Sequence, residues 1–271
     1  MLSVAGSDPS GGAGIQADLK AVEACGGYAV TAITSVTVQN TLGVQRLLPL
    51  DAAIVADQLR VLLDDLEVAA VKTGTLGSPA VAQLLADMLQ AGPCCPLVVD
   101  PVLRSSSGHE LNGGATLRAI TERLAPLATL LTPNLGEAAE MSGLEVRTIA
   151  DAERAGRRLL ASGWNAVLVK GGHGDSAVTT DLLVTACGAR RFETPRIESS
   201  STHGTGCVHA SAIATGLARG LPLEQAVGRA KEFITDCIRH GLRMGHGVGP
   251  VDPLHRLHAV CSTESREVSS T

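Results

Sequence analysis

The chain has 271 residues, a net charge of −5 and a hydrophobic fraction of 45%. It contains no dense basic run, which argues against a nucleic-acid surface. No apolar run approaches the roughly 18 residues of a membrane span, and no basic segment precedes a hydrophobic one near the start. We therefore expect a cytoplasmic protein that binds neither nucleic acid nor membrane, with one large domain or two small ones.

The cysteines and lysines carry further information. Seven cysteines form no C-x-x-C pair, which argues against a zinc site or a disulfide framework. Only four of the 22 basic residues are lysines, namely Lys20, Lys72, Lys170 and Lys231. A rare lysine can mark a place where a compact ammonium group is needed, although compositional drift explains the same count.

Strands and helices alternate along the chain. Apolar runs predict strands at Leu2–Ala5, Ala29–Val38, Val44–Leu50, Val68–Val71, Leu97–Val99, Thr129–Leu131 and Ala166–Val169. Apolar residues at helical spacing predict helices that begin at or just after the following residues: Ile15, the caps Asp51 and Ser78, Asn134, Ala152, Cys207 and Leu223. Two further runs, Ala177–Thr185 and Arg190–Ile197, predict a hairpin beside the main sheet.

This alternation predicts parallel βαβ units with helices on both faces of the sheet. We therefore predict a single α/β domain over residues 1–258. It is a three-layer sandwich in which a mainly parallel central sheet lies between helix layers, with a small β flap. Ser262–Thr271 contains almost nothing apolar, and we predict a frayed tail over residues 259–271.

The loop Gly6–Gly14, between the first strand and helix, contains four glycines. It fits neither G-x-G-x-x-G nor G-x-x-x-x-G-K-[ST], so it is neither a dinucleotide fingerprint nor a P-loop. The loop either cradles another ligand or makes a tight turn.

The stretch Thr202–Cys207 combines two glycines with the start of a helix. The first turn of a helix presents unpaired N–H groups at the positive end of its dipole, and glycine lets a ligand approach closely. The pattern predicts an anion site suited to phosphate, and the alternative is a glycine-rich turn that simply begins a helix. Cys207 favours the anion site, because this position favours a reactive thiolate.

Polar residues follow several predicted strands, at the edge where open α/β sheets bind ligands. They are Lys72, Asp100, Asn134 and Lys170. Asp100 and Glu137 offer hard oxygen ligands for Mg²⁺. The spacing Asn134-x-x-Glu137 equally fits a helix cap with no metal.

Five segments together resemble the bacterial hydroxymethylpyrimidine/phosphomethylpyrimidine kinases of thiamine biosynthesis, in the ribokinase superfamily. They are Ala5–Lys20, Gln39–Thr41, Thr132–Ala138, Val169–His173 and Thr202–Cys207. Together they extend through most of the chain.

The resemblance implies roles for residues on the substrate side. Asp18 and Gln39 would hydrogen-bond the aminopyrimidine, Gly6 would approach it through the backbone, and Val102 would pack on the ring. Thr75 stands where the family often has methionine, which implies a more polar or roomier pocket. Without the resemblance, Asp18 is a solvated helix residue and Gln39 a turn former.

On the phosphate side, Asp100, Asn134 and Glu137 would organise Mg²⁺, and Lys170 would contact the ATP phosphates, with Lys231 near the nucleotide. Gly204, Thr205, Gly206 and Cys207 would form the anion hole, with Cys207 where most ribokinase relatives carry an aspartate.

The implied activity is ATP- and Mg²⁺-dependent phosphorylation of 4-amino-5-hydroxymethyl-2-methylpyrimidine and then of its monophosphate. A pyridoxal kinase is the alternative enzyme. A non-catalytic nucleotide-binding regulator is the alternative of another class, against which intact Lys170, Glu137 and Cys207 argue. The resemblance also makes a homodimer plausible.

Overall fold

One continuous sheet organises the fold. The computed structural model describes residues 1–92, 94–105, 108–172 and 177–260. Within these ranges nine strands lie in the order β3-β2-β1-β4-β5-β6-β7-β8-β9. They are β1 Leu2–Ser7, β2 Val30–Asn40, β3 Gly43–Pro49, β4 Val71–Thr73, β5 Leu97–Val99, β6 Leu130–Leu131, β7 Ala166–Val169, β8 Val178–Thr185 and β9 Gly188–Pro195. From β2 to β7 in this order, neighbouring strands pair parallel. Strand β3 pairs antiparallel with β2, β8 with β7, and β9 with β8.

Helices cover both faces of the sheet. They are α1 Gly14–Ala24, α2 Ala52–Asp65, α3 Pro79–Ala91, α4 Gly114–Leu124, α5 Leu135–Ser142, α6 Ile149–Ala161, α7 Thr205–Ala218 and α8 Leu223–Arg239. Helices α2 to α6 form one layer, and α1, α7 and α8 form the other. Adjacent strand residues point to opposite layers, so Val99 packs with the first and Val98 with the second. The predicted three-layer α/β architecture is confirmed.

Capping residues begin two helices where the sequence predicts them. Asp51 accepts the N–H of Ala53 at 2.8 Å at the start of α2. Ser78 accepts the N–H of Val81 at 3.4 Å, and Pro79 occupies the first turn of α3. Each cap satisfies a donor that has no partner within the helix.

Three elements differ from their predictions. The strand predicted over Val68–Val71 begins only at Val71, so Lys72 lies inside β4 and not beyond it. Helix α4 has no counterpart in the sequence analysis, although its buried residues recur at helical spacing. The hairpin of β8 and β9 extends the main sheet as its edge.

The end of β2 forms a flap with β3. Strand β1 pairs with β2 as far as Val36, and β3 pairs with β2 from Ser35 to Asn40. This flap, residues 37–47, places Thr37 and Gln39 in the wall of the cavity described below.

At the C-terminal end, residues 255–260 are helical. His173 of the quoted motif and residues 261–271 of the predicted tail lie outside the described residues, and the domain boundary at residue 258 stays a prediction. None of the helices in the described ranges is both long and apolar enough to cross a membrane.

Candidate active site

A cavity of about 750 Å³ opens at the carboxyl ends of the parallel strands. Ligands of open α/β sheets bind at this edge. The cavity wall contains the predicted site residues Gly6, Gln39, Thr75, Asp100, Val102, Asn134, Glu137, Lys170, Gly204, Thr205, Gly206, Cys207 and Lys231. The structure thus brings together residues from distant parts of the chain.

Asp18 is the exception, and the structure contradicts its predicted contact with a substrate ring. The side chain has no exposed surface, and Lys72 Nζ lies 2.8 and 2.9 Å from its two carboxylate oxygens. Ser3 and Ser211 also donate to it, at 2.6 and 2.7 Å. An ion pair with two added hydrogen bonds satisfies a buried carboxylate. Asp18 is therefore part of the packing between α1, β1, β4 and α7.

The predicted position of Lys72 at the ligand-binding edge is also wrong. It does not reach the ligand-binding edge, because it lies within β4 with no exposed surface. Burial opposes its charge and is the largest single effect, but the neighbouring acidic groups, with Asp18 first among them, together outweigh it and raise the Lys72 pKa. The pair is therefore charged and structural.

The predicted anion corner is formed by the start of α7. Gly204 has φ of 81°, a left-handed conformation that favours glycine. A Cβ there would also lie 1.7 Å from the carbonyl oxygen of Gly12, so the corner packs directly against the glycine-rich loop. Thr205, Gly206 and Cys207 follow in the first turn, whose N–H groups have no acceptor within the helix.

Lys170 and Asp100 form an ion pair next to this corner, with Nζ 2.8 Å from Oδ1. A Cβ at Gly206 would lie 3.2 Å from Lys170 Nζ, which shows how close the corner comes to the pair. Burial alone would raise the Asp100 pKa, but Lys170 and Lys72 outweigh it and hold it below the usual value. Both members of the pair are therefore charged at neutral pH.

Asn134 and Glu137 form the capping box that the sequence analysis gave as the alternative to a metal site. Asn134 Oδ1 accepts the N–H of Glu137, and Glu137 Oε2 accepts the N–H of Asn134, both at 2.9 Å. Glu137 Oε1 also accepts the N–H of Leu103 at 3.1 Å. Burial, reinforced by Asp100 and opposed by Lys170, raises the Glu137 pKa. The capping box is therefore present, Glu137 also lines the cavity, and its metal role stays a prediction.

Cys207 lies in the corner as predicted, but its expected thiolate character is contradicted. Burial raises the pKa of the thiol to about 11, and Asp18 and Asp100 act in the same direction. Lys72 and a hydrogen bond from the backbone N–H of Gly14 act against this rise and are too weak to reverse it. Desolvation is the largest of these effects, and it keeps the thiol protonated at neutral pH.

Gln39 has partners that the sequence analysis missed. His203 Nε2 lies 3.2 Å from Gln39 Nε2 and 2.9 Å from Asp8 Oδ2. Asp8 also accepts from Ser10 and from the N–H of Ala13, which fixes the glycine-rich loop. The sequence features that could have indicated these partners were a histidine inside the Thr202–Cys207 stretch and an acidic residue inside the glycine-rich loop.

Lys231 reaches the cavity from α8 and pairs with a second missed residue. Asp181 of β8 lies 3.0 Å from Lys231 Nζ and is 2% exposed. A single aspartate among the apolar residues of a predicted strand was the signal for it.

Val102 contacts the cavity in a strained backbone conformation. Its φ of 41° is the one positive value among the non-glycine residues in the described part of the chain. For a β-branched residue this is an outlier, and such strain concentrates at functional sites.

A glycine-rich helix start beside a charged lysine, at the carboxyl edge of a three-layer sheet, fits a ribokinase-like phosphotransferase. The family model for phosphomethylpyrimidine kinase matches residues 8–252, and the chain belongs to that family. It is therefore a kinase.

Two groups of relatives resemble it along nearly the whole length. A hydroxymethylpyrimidine/phosphomethylpyrimidine kinase of Streptomyces coelicolor is 44% identical over 254 residues, 93% of each chain. A Bacillus subtilis pyridoxal kinase, solved as an ADP complex, has a TM-score of 0.87 at 35% identity and covers 94% of this chain and 98% of its own. A phosphomethylpyrimidine kinase from Clostridium difficile has a TM-score of 0.76 at 37% identity, over 88% of this chain and 98% of that one.

Proposed function

We propose that this kinase transfers a phosphoryl group from ATP to the hydroxymethyl group of 4-amino-5-hydroxymethyl-2-methylpyrimidine and then phosphorylates the monophosphate, in thiamine biosynthesis. The observation that carries the proposal is that the anion corner and Gln39 face one cavity, with Lys170 in its wall. Phosphoryl transfer requires mainly positioning and charge stabilisation, which these groups supply.

The pyrimidine ring would bind at the flap side of the cavity. The amide of Gln39 offers both a donor and an acceptor, which suits the edge of an aminopyrimidine. Gly6 lines the same region, and a Cβ there would lie 2.6 Å from Ser35 Oγ. Thr75 and Val102 complete the ring pocket.

The nucleotide phosphates would bind along the opposite wall. Lys170 and Lys231 supply fixed positive charge, and Asn134 lies at the strand end between them and α5. The first-turn amides of Gly206 and Cys207 would meet the phosphoryl group as it is transferred.

The carboxylates of the site fit a magnesium ion. Mg²⁺ usually binds through one or two carboxylates together with substrate phosphates and water. Asp100 and Glu137 are carboxylates of this kind, and no larger cluster of His, Cys, Asp and Glu suited to a metal occurs in the described ranges. Asp100 and Glu137 would hold the ion, which would neutralise charge on the phosphates.

Cys207 would receive the proton of the substrate hydroxyl. The hydroxyl oxygen bonds to the γ-phosphorus, the bond to the leaving ADP breaks, and the proton passes to the thiolate. A loose transition state keeps that proton until late, so a small thiolate fraction is enough. The second acceptor is an ionised phosphate oxygen and needs no base.

We further expect a cytoplasmic enzyme that binds these small molecules, and a homodimer as the family resemblance implies.

A coupled ATP-consumption assay with three acceptors tests the proposal. The pyrimidine and its monophosphate should each be phosphorylated with higher kcat/KM than pyridoxal. Preference for pyridoxal would favour the alternative enzyme, with which the Bacillus subtilis structure is in accord. Turnover of no acceptor, with intact nucleotide binding, would favour the regulator.

A further inference from the structure

One buried carboxylate in the cavity wall has no part in the reaction described above. Asp181 Oδ1 accepts the N–H of Gly171 at 2.9 Å and lies 3.0 Å from Lys231 Nζ. His209 Nδ1 is 3.7 Å from Oδ2, which is too far for a hydrogen bond. The loop after β7, helix α8 and helix α7 therefore converge on a single side chain of β8.

The charges around Asp181 leave Lys231 as its counterion. Burial lowers the pKa of His209 to about 4, and Lys170 and Lys231 add to that effect against Asp181 and Asp100. The imidazole is therefore neutral at neutral pH and does not compete for the carboxylate. Lys170 is paired with Asp100, so the Asp181 charge acts on Lys231.

The backbone of the loop after β7 also packs closely against β8. A Cβ at Gly171 would lie 1.9 Å from the carbonyl oxygen of Thr180, so the loop lies directly against β8. Lys170, Gly171 and Gly172 all line the cavity. A shift of Asp181 would therefore move both the loop and the end of Lys231.

We propose that Asp181 is a positioning residue for the nucleotide phosphates, which holds Lys231 and the Gly171 amide where the phosphates bind. This inference rests on the proposed function, in which Lys170 and Lys231 bind the ATP phosphates. Two effects of removing the charge oppose each other. A released Lys231 adds attraction for anions, but an ammonium on a flexible four-carbon stem contacts phosphate well only when it is held in place. We expect the loss of position to dominate.

Calorimetric titration of the full chain with ADP tests this inference. Asp181→Asn keeps an acceptor for the Gly171 N–H and removes the charge, and it should weaken ADP binding about tenfold, the size of one charge-assisted hydrogen bond. Asp181→Ala removes both and should weaken binding further. Glu193→Gln is the matched control, because it removes the same charge at an exposed position on the neighbouring strand and should leave ADP binding unchanged.

A double-mutant cycle identifies the route of the effect. If Asp181 acts through Lys231, Asp181→Asn should change ADP affinity about twofold or less in a Lys231→Met background. The KM for the pyrimidine should change little in all of these variants, whereas a merely structural role would raise it together with the KM for ATP.

Three outcomes overturn the inference: ADP binding by Asp181→Asn that equals or exceeds that of the unchanged chain, additive losses in the cycle, or a parallel rise of both KM values. A different result, no ADP binding by the unchanged chain, would contradict the proposed function itself.

Discussion

Two aspartate–lysine pairs of nearly equal geometry lie in different surroundings. Asp18–Lys72 and Asp100–Lys170 each have an oxygen–nitrogen distance of 2.8 Å. The first pair has no exposed side-chain surface, and two serine hydroxyls complete its hydrogen bonds. In the second pair the Lys170 side chain is 11% exposed and faces the cavity. Residue type and pairing therefore do not distinguish the two lysines, whereas access to the cavity does.

The lysines extend this comparison. Lys231 pairs with Asp181, and Lys20 donates to the carbonyl of Gly11 at 2.7 Å. The rarity of lysine in the composition thus accompanies specific pairing, although only Lys170 and Lys231 line the cavity.

Cys207 interacts electrostatically with both pairs, and its removal should have the largest effect. Cys207→Ala should slow the first phosphorylation by about 10²–10⁴-fold, because the substrate hydroxyl loses its proton acceptor. The second step should slow far less, since its acceptor is already ionised. Single-turnover rates with the pyrimidine and with its monophosphate measure the two steps separately.

The pH profile provides the control for this substitution. With a thiol pKa of about 11, the thiolate fraction increases with pH throughout the neutral range. The first-step rate of the unchanged chain should rise about tenfold per pH unit below that pKa, and the rise should be absent in Cys207→Ala. Equal losses in both steps would mean that Cys207 only shapes the corner.

Substitution of the two paired lysines tests the comparison next. Lys72→Met leaves a buried carboxylate without its counterion and should lower the free energy of unfolding by about 3–5 kcal/mol. Lys170→Met should lower it less, because Asp100 borders the cavity, but should greatly reduce kcat. Urea denaturation and steady-state assays decide this, and the opposite pattern would contradict the distinction.

The capping carboxylate should give a smaller, combined effect. Glu137→Gln should reduce turnover and raise the required Mg²⁺ about 10- to 100-fold. Both Glu137 oxygens accept backbone N–H groups. The side-chain NH2 group introduced by this substitution would face one of those N–H donors, which should destabilise the fold by about 1–3 kcal/mol. Magnesium titrations and thermal unfolding separate these terms. A loss of stability alone would assign Glu137 to the cap.

The smallest expected change is confined to one substrate. Gln39→Ala leaves a ring donor or acceptor unpaired, which costs about 1–3 kcal/mol and raises the KM for the pyrimidine about 5- to 150-fold. The KM for ATP should stay within about twofold, since the nucleotide is proposed to bind at the other wall. Equal changes in both constants would mean that Gln39 acts through the fold.

Sequence patterns predicted the fold well because strands and helices alternate with clear apolar runs. The error at β4 arose because hydrophobicity alone does not show that Lys72 is still in the strand. Asp18 could have been recognised, because it follows Ile15 and precedes Val22 at helical spacing on the buried face of α1.

Other properties of the site depend on tertiary structure. The helix start at Cys207 is visible in the sequence, whereas the desolvation that raises the thiol pKa is not. The convergence of Gly171, Lys231 and Asp181 likewise depends on how β8 joins the sheet. Local patterns carry no information on such contacts.

The central claim is that phosphoryl transfer takes place at Lys170 and the α7 corner, away from the Asp18–Lys72 pair. A crystal structure with the pyrimidine and a non-hydrolysable ATP analogue tests it most directly. We predict the terminal phosphate within hydrogen-bonding distance of Lys170 and the Gly206 and Cys207 amides, with the ring against Gln39. A terminal phosphate bound elsewhere, or a ring in contact with Asp18, would contradict the account.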